Sequence, residues 1–416
     1  MSSSPSLTAA EPASASWGDL LRGRNGLRSI ALAGGVALHA VNIYVVTTIL
    51  PTIIQEIGGL TYYAWNTTLF VAASIVGSAL SAKLIEQLGP RLAYLVALAV
   101  FSIGAVACAM APSMPVLLLG RTVQGLGGGV LFALSYALIR VVFDARLWPR
   151  AMALVSGMWG VATLGGPAIG GMFAQSGHWR PAFWVLVPVA LLLALIVASQ
   201  FRGKAAADAP PGRVPWLTIA LLVLSVLAIS AASLSQRLLW NAAGIAAGVA
   251  IAALIVRIDR HARARLLPSG AYSLRAPLGV LYAVMSLLVA ALTTEIFVPY
   301  FLQVVHQQTP LAAGYMTAMM AGGWTVASVY SAGRSALQAH RLIRISPWVV
   351  FTAIVALAAT MPVTVWNPAW FGTVIYCVAL TAVGFGIGLA WPHLLTRVFS
   401  AAAPGEENLA SSSITT

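Results

Sequence analysis

The chain is 416 residues long, 60% hydrophobic and 8% charged, with a formal net charge of +13. Soluble domains carry about a quarter charged residues, so this chain cannot cover a water-exposed surface, and soluble enzymes and soluble binding modules are excluded. The basic excess leaves nucleic acid and anionic lipid as partners to weigh, and its placement decides between them.

A membrane-crossing helix needs about 20 mostly apolar residues. Twelve such stretches follow in chain order: 29–54, 65–86, 91–111, 115–140, 150–174, 182–201, 215–235, 238–256, 277–303, 311–332, 347–365 and 370–396. Residues 1–28 are rich in Ser, Ala and Pro and lack the basic, apolar, small-residue order of a cleaved signal. They are expected to form a disordered cytoplasmic tail. With that tail inside, 20 of the 23 Lys and Arg residues fall on cytoplasmic segments, within 22–28, 83–91, 140–150, 202–213, 257–275, 334–344 and at 397. Arg180 and Arg237 fall outside and Arg121 lies within a span. This is the positive-inside bias. The charge sets orientation in a lipid bilayer, and nucleic acid is not a partner, because no basic patch sits on a soluble domain. The two cysteines, Cys108 and Cys377, lie in separate spans and read as packing residues.

An internal repeat is visible. SALSAKLIEQLGPRL (78–92) faces SVYSAGRSALQAHRL (328–342) at a shift of 250, with Ser78, Ser81, Ala82, Arg91 and Leu92 recurring as Ser328, Ser331, Ala332, Arg341 and Leu342. GLGGGVLF (125–132) faces GFGIGLAW (384–391), matching Gly125, Gly127 and Gly129 to Gly384, Gly386 and Gly388. Spans one to four thus correspond to spans nine to twelve. The expected fold is an all-α polytopic membrane protein of two bundles with an inserted helix pair. The expected division is a tail (1–28), a six-helix N-terminal bundle (29–202), a linker with two inserted spans (203–276), a C-terminal bundle with four of six spans (277–400) and a truncated tail (401–416). Counterparts of spans five and six are missing from the second half, so the polypeptide reads as shortened by two helices.

Glycine runs mark the fourth span, LLLGRTVQGLGGG (117–129), and the fifth, WGVATLGGPAIGG (159–171). Such spacings let helix backbones approach closely, and helix packing alone would account for many of them. Arg121 is different, because a guanidinium within a span needs a cavity or a partner.

With these motifs the chain resembles the major facilitator superfamily, and within it the fourteen-span drug:proton antiporter branch, over roughly residues 29–416. AKLIEQLGPR (82–91) follows the family's G-x-L-a-D-r-x-G-r-k loop, with Glu86 at the aspartate position, Gly89 and Arg91 in place, and Ala82 at the first glycine. Arg121, Gln124 and Gly125 meet the fourth-span pattern R-x-x-q-G. Gly166, Pro167, Gly170 and Gly171 meet the fifth-span antiporter pattern G-x-x-x-G-P-x-x-G-G, with Ala162 at its first glycine. HWRPAFWVLVP (178–188) is similar to the W-R-x-x-F opening of the sixth span. The resemblance implies a two-bundle exporter driven by protons. One departure stands out: the branch carries an aspartate nine residues before the proline of NIYVVTTILP, and here that position is Asn42. An asparagine releases no proton, so coupling through that site is lost.

Of the ten carboxylates, Glu295 alone lies deep in a span, in LVAALTTEIFVPYFLQ (288–303). Low dielectric disfavours the charged carboxylate, and a group so placed can exchange a proton for cargo. The alternative is a permanent arginine pair or a bond to Thr293 or Thr294 that serves assembly. His39 either titrates or makes a fixed hydrogen bond. Arg121 and Gln124 join Glu295, Asn42 and His39 as candidates for coupling or substrate charge. Tyr44, Phe297, Tyr300, Gln303 and Trp324, with Met319 and Met320, are candidates for a cavity wall, and plain core is the competing reading. Lys83, Glu86, Gly89, Arg91 and Asp144 form either a cytoplasmic gate or solvated charges that mark the inside.

No G-x-x-x-x-G-K-[ST] loop is present, nor any catalytic triad, metal-ligand spacing or carboxylate pair at one depth. No cofactor or metal is expected, and the chain is not an enzyme. The expectation is a proton-coupled exporter of amphipathic small molecules, monomeric and multi-pass in a bacterial inner membrane. The alternatives are a specific metabolite carrier without proton coupling, or a transport-inactive truncated protein.

Overall fold

The computed structural model describes residues 16–201, 215–235, 237–262, 265–331, 334–364, 369–403, 406 and 410. Among these the regular structure is helical: α1 (Gly23–Ile57), α2 (Tyr63–Ala109), α3 (Met114–Ala137), α4 (Trp148–Gln175), α5 (Leu186–Gln200), α6 (Trp216–Ala232), α7 (Leu238–His261), α8 (Pro277–Leu292), α9 (Pro310–Ser331), α10 (Ala336–Thr360) and α11 (Ala369–Ala401). Nine helical stretches among the described residues are long and apolar enough to cross a membrane, and one of them, Leu60–Ala109, carries two of the expected crossings. The two run together because no loop separates them. Gly89 turns the chain at φ 76°, ψ 166°, a region that favours glycine because a Cβ would clash. Pro90 restarts the helix without needing a donor.

Two sequence expectations shift. Residues 16–28, expected in the disordered tail, are helical. Ser16 and Asp19 form a capping box on Trp17–Leu21, Leu20 is buried, and α1 already begins at Gly23. The Ser29 hydroxyl donates to Leu20 O at 3.1 Å, tying this turn to α1. The ninth span, 277–303, is not one helix, because α8 stops at Leu292. Residues 1–15, 203–214 and most of the tail after 403 lie outside the described residues.

The glycine runs act as contact surfaces, and they act the same way in both halves. A Cβ on Gly125 would strike Phe70 O and one on Gly129 would strike Ser74 O. At the matching positions, Gly384 meets Met320 O and Gly388 meets Trp324 O. Ser78 donates to Gly129 O at 3.0 Å, and Ser328 donates to Gly388 O at 3.4 Å. The helix pair α2–α3 is thus rebuilt as α9–α11 with the same backbone crossing and the same serine bond, as the repeat read from the sequence requires. Lipid tails are as apolar as leucine, so this close packing takes the place of the hydrophobic drive.

The inserted pair α6–α7 closes on itself through Gly244 against Ala232 and Ser225 Oγ donating to Gly248 O at 3.0 Å. It docks through Trp65 Nε1 on Ser230 O at 3.1 Å. Asp259 is buried at the end of α7. It accepts from Leu266 N, Leu267 N and the Tyr272 hydroxyl.

The N-terminal end of α1 defines the face that carries most basic residues. Among the described residues, the hydrogen bonds and glycine contacts between the bundles gather in the half away from that face. There Gly171 packs on Leu311, Gly314 on Pro167 and Thr48, Gln303 Nε2 donates to Thr48 O at 3.1 Å, and the Tyr63 hydroxyl donates to Ile296 O at 3.1 Å. Toward the basic face, Gly157, Gly160 and Gly165 on α4 and Gly322 on α9 have open space where a Cβ would stand.

This contrast is testable. Gly129→Val and Gly388→Val force backbones apart and should each cost about 1–3 kcal/mol, seen as a lowered unfolding midpoint in detergent. Gly160→Ala should leave the midpoint unchanged.

Candidate functional site

Two polar centres lie within the membrane-spanning part. The first is built inside the N-terminal bundle. Arg121 on α3 is 2% exposed. Its Nε donates to Asn66 Oδ1 at 2.8 Å and its Nη1 to Gln124 Oε1 at 2.7 Å, and the guanidinium lies 4.1 Å over the Phe70 ring. Helical spacing explains the convergence: Asn66 and Phe70 are one turn apart on α2, as are Arg121 and Gln124 on α3. The His39 ring of α1 completes the shell, with its centroid 5.3 Å from Phe70, 5.5 Å from Phe132 and 6.4 Å from Trp159. His39 Nδ1 finds no hydrogen-bond partner. Asn42, one turn further along α1, is 0% exposed, and neither of its amide atoms has a partner.

The sequence expected Arg121 to find a cavity or a partner, and the partners are neutral amides and a ring. Asn66 and Phe70 were not anticipated. Their only signal was a polar NTT (66–68) at the start of an apolar run, which reads equally well as a helix end.

The second centre lies where α8 breaks. Pro299 lacks the N–H that the Glu295 carbonyl would accept in a helix, and its ring crowds that carbonyl. The Thr293 and Thr294 hydroxyls donate back to Ala290 O at 2.6 Å and Ala291 O at 2.9 Å, which bends the preceding turn. The chain passes through a 3₁₀ turn at Thr293–Ile296, a helical turn at Val298–Tyr300 and a π-helical turn at Phe301–Val305. Glu295 sits on the first of these turns, half-buried, and among the described residues its carboxylate enters no hydrogen bond or ion pair. Thr293 and Thr294, proposed as its fixed partners, bond to the backbone instead. From the facing bundle the Tyr44 phenol stands within the electrostatic reach of Glu295.

The expected cavity wall divides. Phe297 stacks on Tyr63 at 5.6 Å and Tyr300 meets the same ring edge-on at 5.4 Å, next to the Gln303–Thr48 bond. These residues and Tyr44 gather along the closed half of the bundle interface. Trp324 does not join them, because it packs on Trp391 at 5.1 Å within its own bundle. Met320 is wholly buried in the second core and lines nothing, while Met319 is exposed.

The antiporter-pattern glycines serve contact. Gly166 lies against Tyr44, Gly170 against Val45 and Thr48, and Gly171 against Leu311, while Pro167 packs on Gly314. Small residues here seat α4 against α1 and against the other bundle. Lys83, Glu86, Arg91 and Asp144 are exposed and take no part in the ion pairs found among the described residues; Gly89 makes the turn beside them. The W-R-x-x-F stretch has a structural role at the opposite end. Glu56 accepts from Trp179 Nε1 at 2.6 Å and from Arg180 Nη1. Arg180 Nη2 reaches Ala111 O at 3.1 Å, and the guanidinium lies 4.3 Å over Trp179. Three helix ends are tied there.

Two glycine-seated bundles, closed on one side around buried polar groups, describe a membrane transporter that moves small molecules. The Major Facilitator Superfamily profile matches residues 32–416. A Mycobacterium tuberculosis protein named "Probable multidrug-efflux transporter" is 40% identical over 408 residues, covering 96% of this chain and 85% of that protein. The multidrug efflux pump SdrM of Staphylococcus aureus is 24% identical over 301 residues, 71% of this chain and 66% of that protein. Among solved structures, a mutant POT peptide transporter in complex with sulfate matches with a TM-score of 0.66 at 12% identity, over 97% of this chain and 88% of that one. A D-xylose–proton symporter matches with a TM-score of 0.59 at 14% identity, over 94% and 87%; both likenesses concern the fold. The chain belongs to the Major Facilitator Superfamily.

The clamp at Glu56 yields a direct measurement. Glu56→Gln keeps the shape but removes the charge and leaves one acceptor oxygen for the two donors, Trp179 Nε1 and Arg180 Nη1. Because the group is half-exposed the loss should be only about 1 kcal/mol, a fall of a few degrees in the unfolding midpoint.

Proposed function

We propose that this chain is a proton-coupled exporter of amphipathic small molecules that works by alternating access, with the basic face and the N-terminus on the cytoplasmic side of a bacterial inner membrane. The observation that carries the proposal is the partnerless Glu295 on a broken helix at the junction of the two bundles. A carboxylate with no ion pair or hydrogen bond can gain a proton without breaking a structural contact. Placed between bundles, it meets one side of the membrane or the other as they rock.

In the conformation described, cargo enters from the basic face while the Thr48, Leu311 and Gln303 contacts hold the far side shut. Rocking opens that seam, exposes Glu295 to the outside, and lets a proton displace the cargo. Return carries the proton inward. Tyr44, Phe297, Tyr300 and Gln303 then offer cargo aromatic faces and one amide, a mixed wall suited to amphipathic molecules. The exposed Lys83, Glu86, Arg91 and Asp144 are ion-pair partners for the opposite state, when the basic face closes. The similarity to a protein named as a multidrug-efflux transporter supports export over uptake. A second reading, carriage of a specific metabolite without proton coupling, is favoured by Asn42, which holds no titratable proton in the first bundle.

Two measurements decide. Glu295→Gln should abolish substrate-driven proton release in proteoliposomes while protein level and fold are retained. Transport that persists without any pH dependence would favour the uncoupled carrier. A Gly171→Cys/Leu311→Cys pair should cross-link, since a Gly171 Cβ would stand 3.0 Å from that of Leu311, about half an ångström short of disulfide spacing. Oxidation should stop transport and reduction restore it. Unimpeded transport by the cross-linked protein would refute rocking about this seam.

A further inference from the structure

The inserted helix pair α6–α7 is held at its two ends by different bundles. At the end toward the basic face, α7 runs into a loop built as one piece with the second bundle. The buried Asp259 carboxylate accepts from Leu266 N at 2.7 Å, Leu267 N at 3.2 Å and the Tyr272 hydroxyl at 2.8 Å. Arg260 Nη2 donates to Tyr272 O at 2.9 Å. The loop then lies on the first turn of α8, where a Cβ on Gly279 would strike Ser273 O. Ser269 donates through its N and Oγ to Glu406 Oε2 at 2.8 and 2.6 Å, and Arg265 pairs with the same carboxylate at 3.7 Å. Glu406 follows α11 and stands one turn before Ala410, which is buried in the second core.

At the opposite end the tie is to the first bundle, and it is slight. Trp65 Nε1 donates to Ser230 O at 3.1 Å. Ser230 lies in the last turn of α6, where carbonyls lack an intrahelical partner. The same carbonyl accepts the Ser233 hydroxyl at 2.7 Å, so it keeps a partner when the indole leaves. Between these ends the pair is close-packed. A Cβ on Gly248 would strike the Ile229 side chain, beside the Gly244–Ala232 contact and the Ser225–Gly248 bond, so α6 and α7 move together. Trp65 stands two residues after Tyr63 in the first turn of α2, and such residues point about 200° apart on a helix. That turn therefore gives Tyr63 to Ile296, Phe297 and Tyr300 of the second bundle and Trp65 to the inserted pair.

We propose, building on the alternating-access reading above, that the inserted pair travels with the second bundle and that Trp65 on Ser230 is a latch. Together with Tyr63 on Ile296 it holds the state in which the bundles touch away from the basic face. Rocking that parts Tyr63 from Ile296 also draws the first turn of α2 away from α6, and the indole leaves the Ser230 carbonyl. The Asp259 and Glu406 bonds stay made in both states. The inequality of the ties decides which one gives: a buried carboxylate with three donors and a second carboxylate held by Ser269 and Arg265, against one indole N–H.

The test measures distances between spin labels on the full chain in lipid nanodiscs, with Cys108 and Cys377 replaced by Ala. Labels at Gly160→Cys and Gly322→Cys report rocking, since both positions face open space. Labels at the exposed Leu254 of α7 and Leu337 of α10 follow the inserted pair against the second bundle, and labels at Leu254 and the exposed Leu195 of α5 follow it against the first. Between acidic and alkaline pH the first and third distances should divide into two populations whose ratios shift together, while the second stays single. Trp65→Phe removes the donor and keeps a ring, and should move both ratios about fivefold away from the latched state. A Leu254–Leu337 distance that divides while Leu254–Leu195 stays single would overturn the proposal, as would ratios that Trp65→Phe leaves unchanged. A single Gly160–Gly322 distance at every pH and in Glu295→Gln would overturn the alternating-access reading with it, so that label pair tells the two failures apart.

Discussion

The bilayer core offers a buried polar group no hydrogen bond, so every donor, acceptor and charge must be met by the protein or by something it binds. That constraint explains more of this structure than any single contact. It makes the backbone helical wherever it faces lipid. It also confines irregular chain to a place where other protein covers it: α8 breaks where Tyr63, Thr48 and α9 stand against the broken segment. It forces serines and threonines to bond back to carbonyls within their own helices, as Thr293 and Thr294 do. Where the constraint is left unmet, as at Arg121 and Glu295, a structural role alone does not account for the residues.

The two bundles share one packing device and differ in what they hold. α2–α3 and α9–α11 cross through glycines set against carbonyls, with a serine bond repeated at the same place. The first pair has been filled with a fixed charge. Arg121 is pinned by two amides and a ring, on helices whose backbones touch. The second bundle carries its charge on the least regular stretch among the described spans. Rigid and yielding halves follow from particular residues: Gly125 and Gly129 bring α2 and α3 together around the arginine, while Pro299 denies α8 the bond that would stiffen the turn holding Glu295.

Much of this was legible in the sequence. Composition alone fixes the class, because so few charged residues cannot cover a surface in water. The repeat, read from Ser78/Ser328 and Gly129/Gly388, corresponds to real hydrogen bonds because backbone proximity tolerates no other residue there. The shell around Arg121 was not legible, because Asn66 and Phe70 are ordinary residues until α2 is laid against α3. The break in α8 was legible in principle from Thr-Thr-Glu and Pro299, but a long apolar run reads as a continuous span. The Trp324–Trp391 ring contact was not legible either, because span number and depth say little about which way a side chain turns. The half in which the bundles touch was not legible either, because residues such as Gly171 and Leu311 meet only once the two bundles are laid together.

The separation of the two charges is itself informative. A cation and a carboxylate that both face one cavity would pair, and each would then neutralise the other through every conformational change. Here Arg121 is sealed behind Phe70 and His39, out of reach of Glu295, and the carboxylate is left to the interface. That arrangement keeps the mobile negative charge free of a permanent partner. Arg121 thus stays within the first bundle, and the proposed exchange of protons and cargo falls to the seam between the bundles, where Glu295 and Tyr44 face each other.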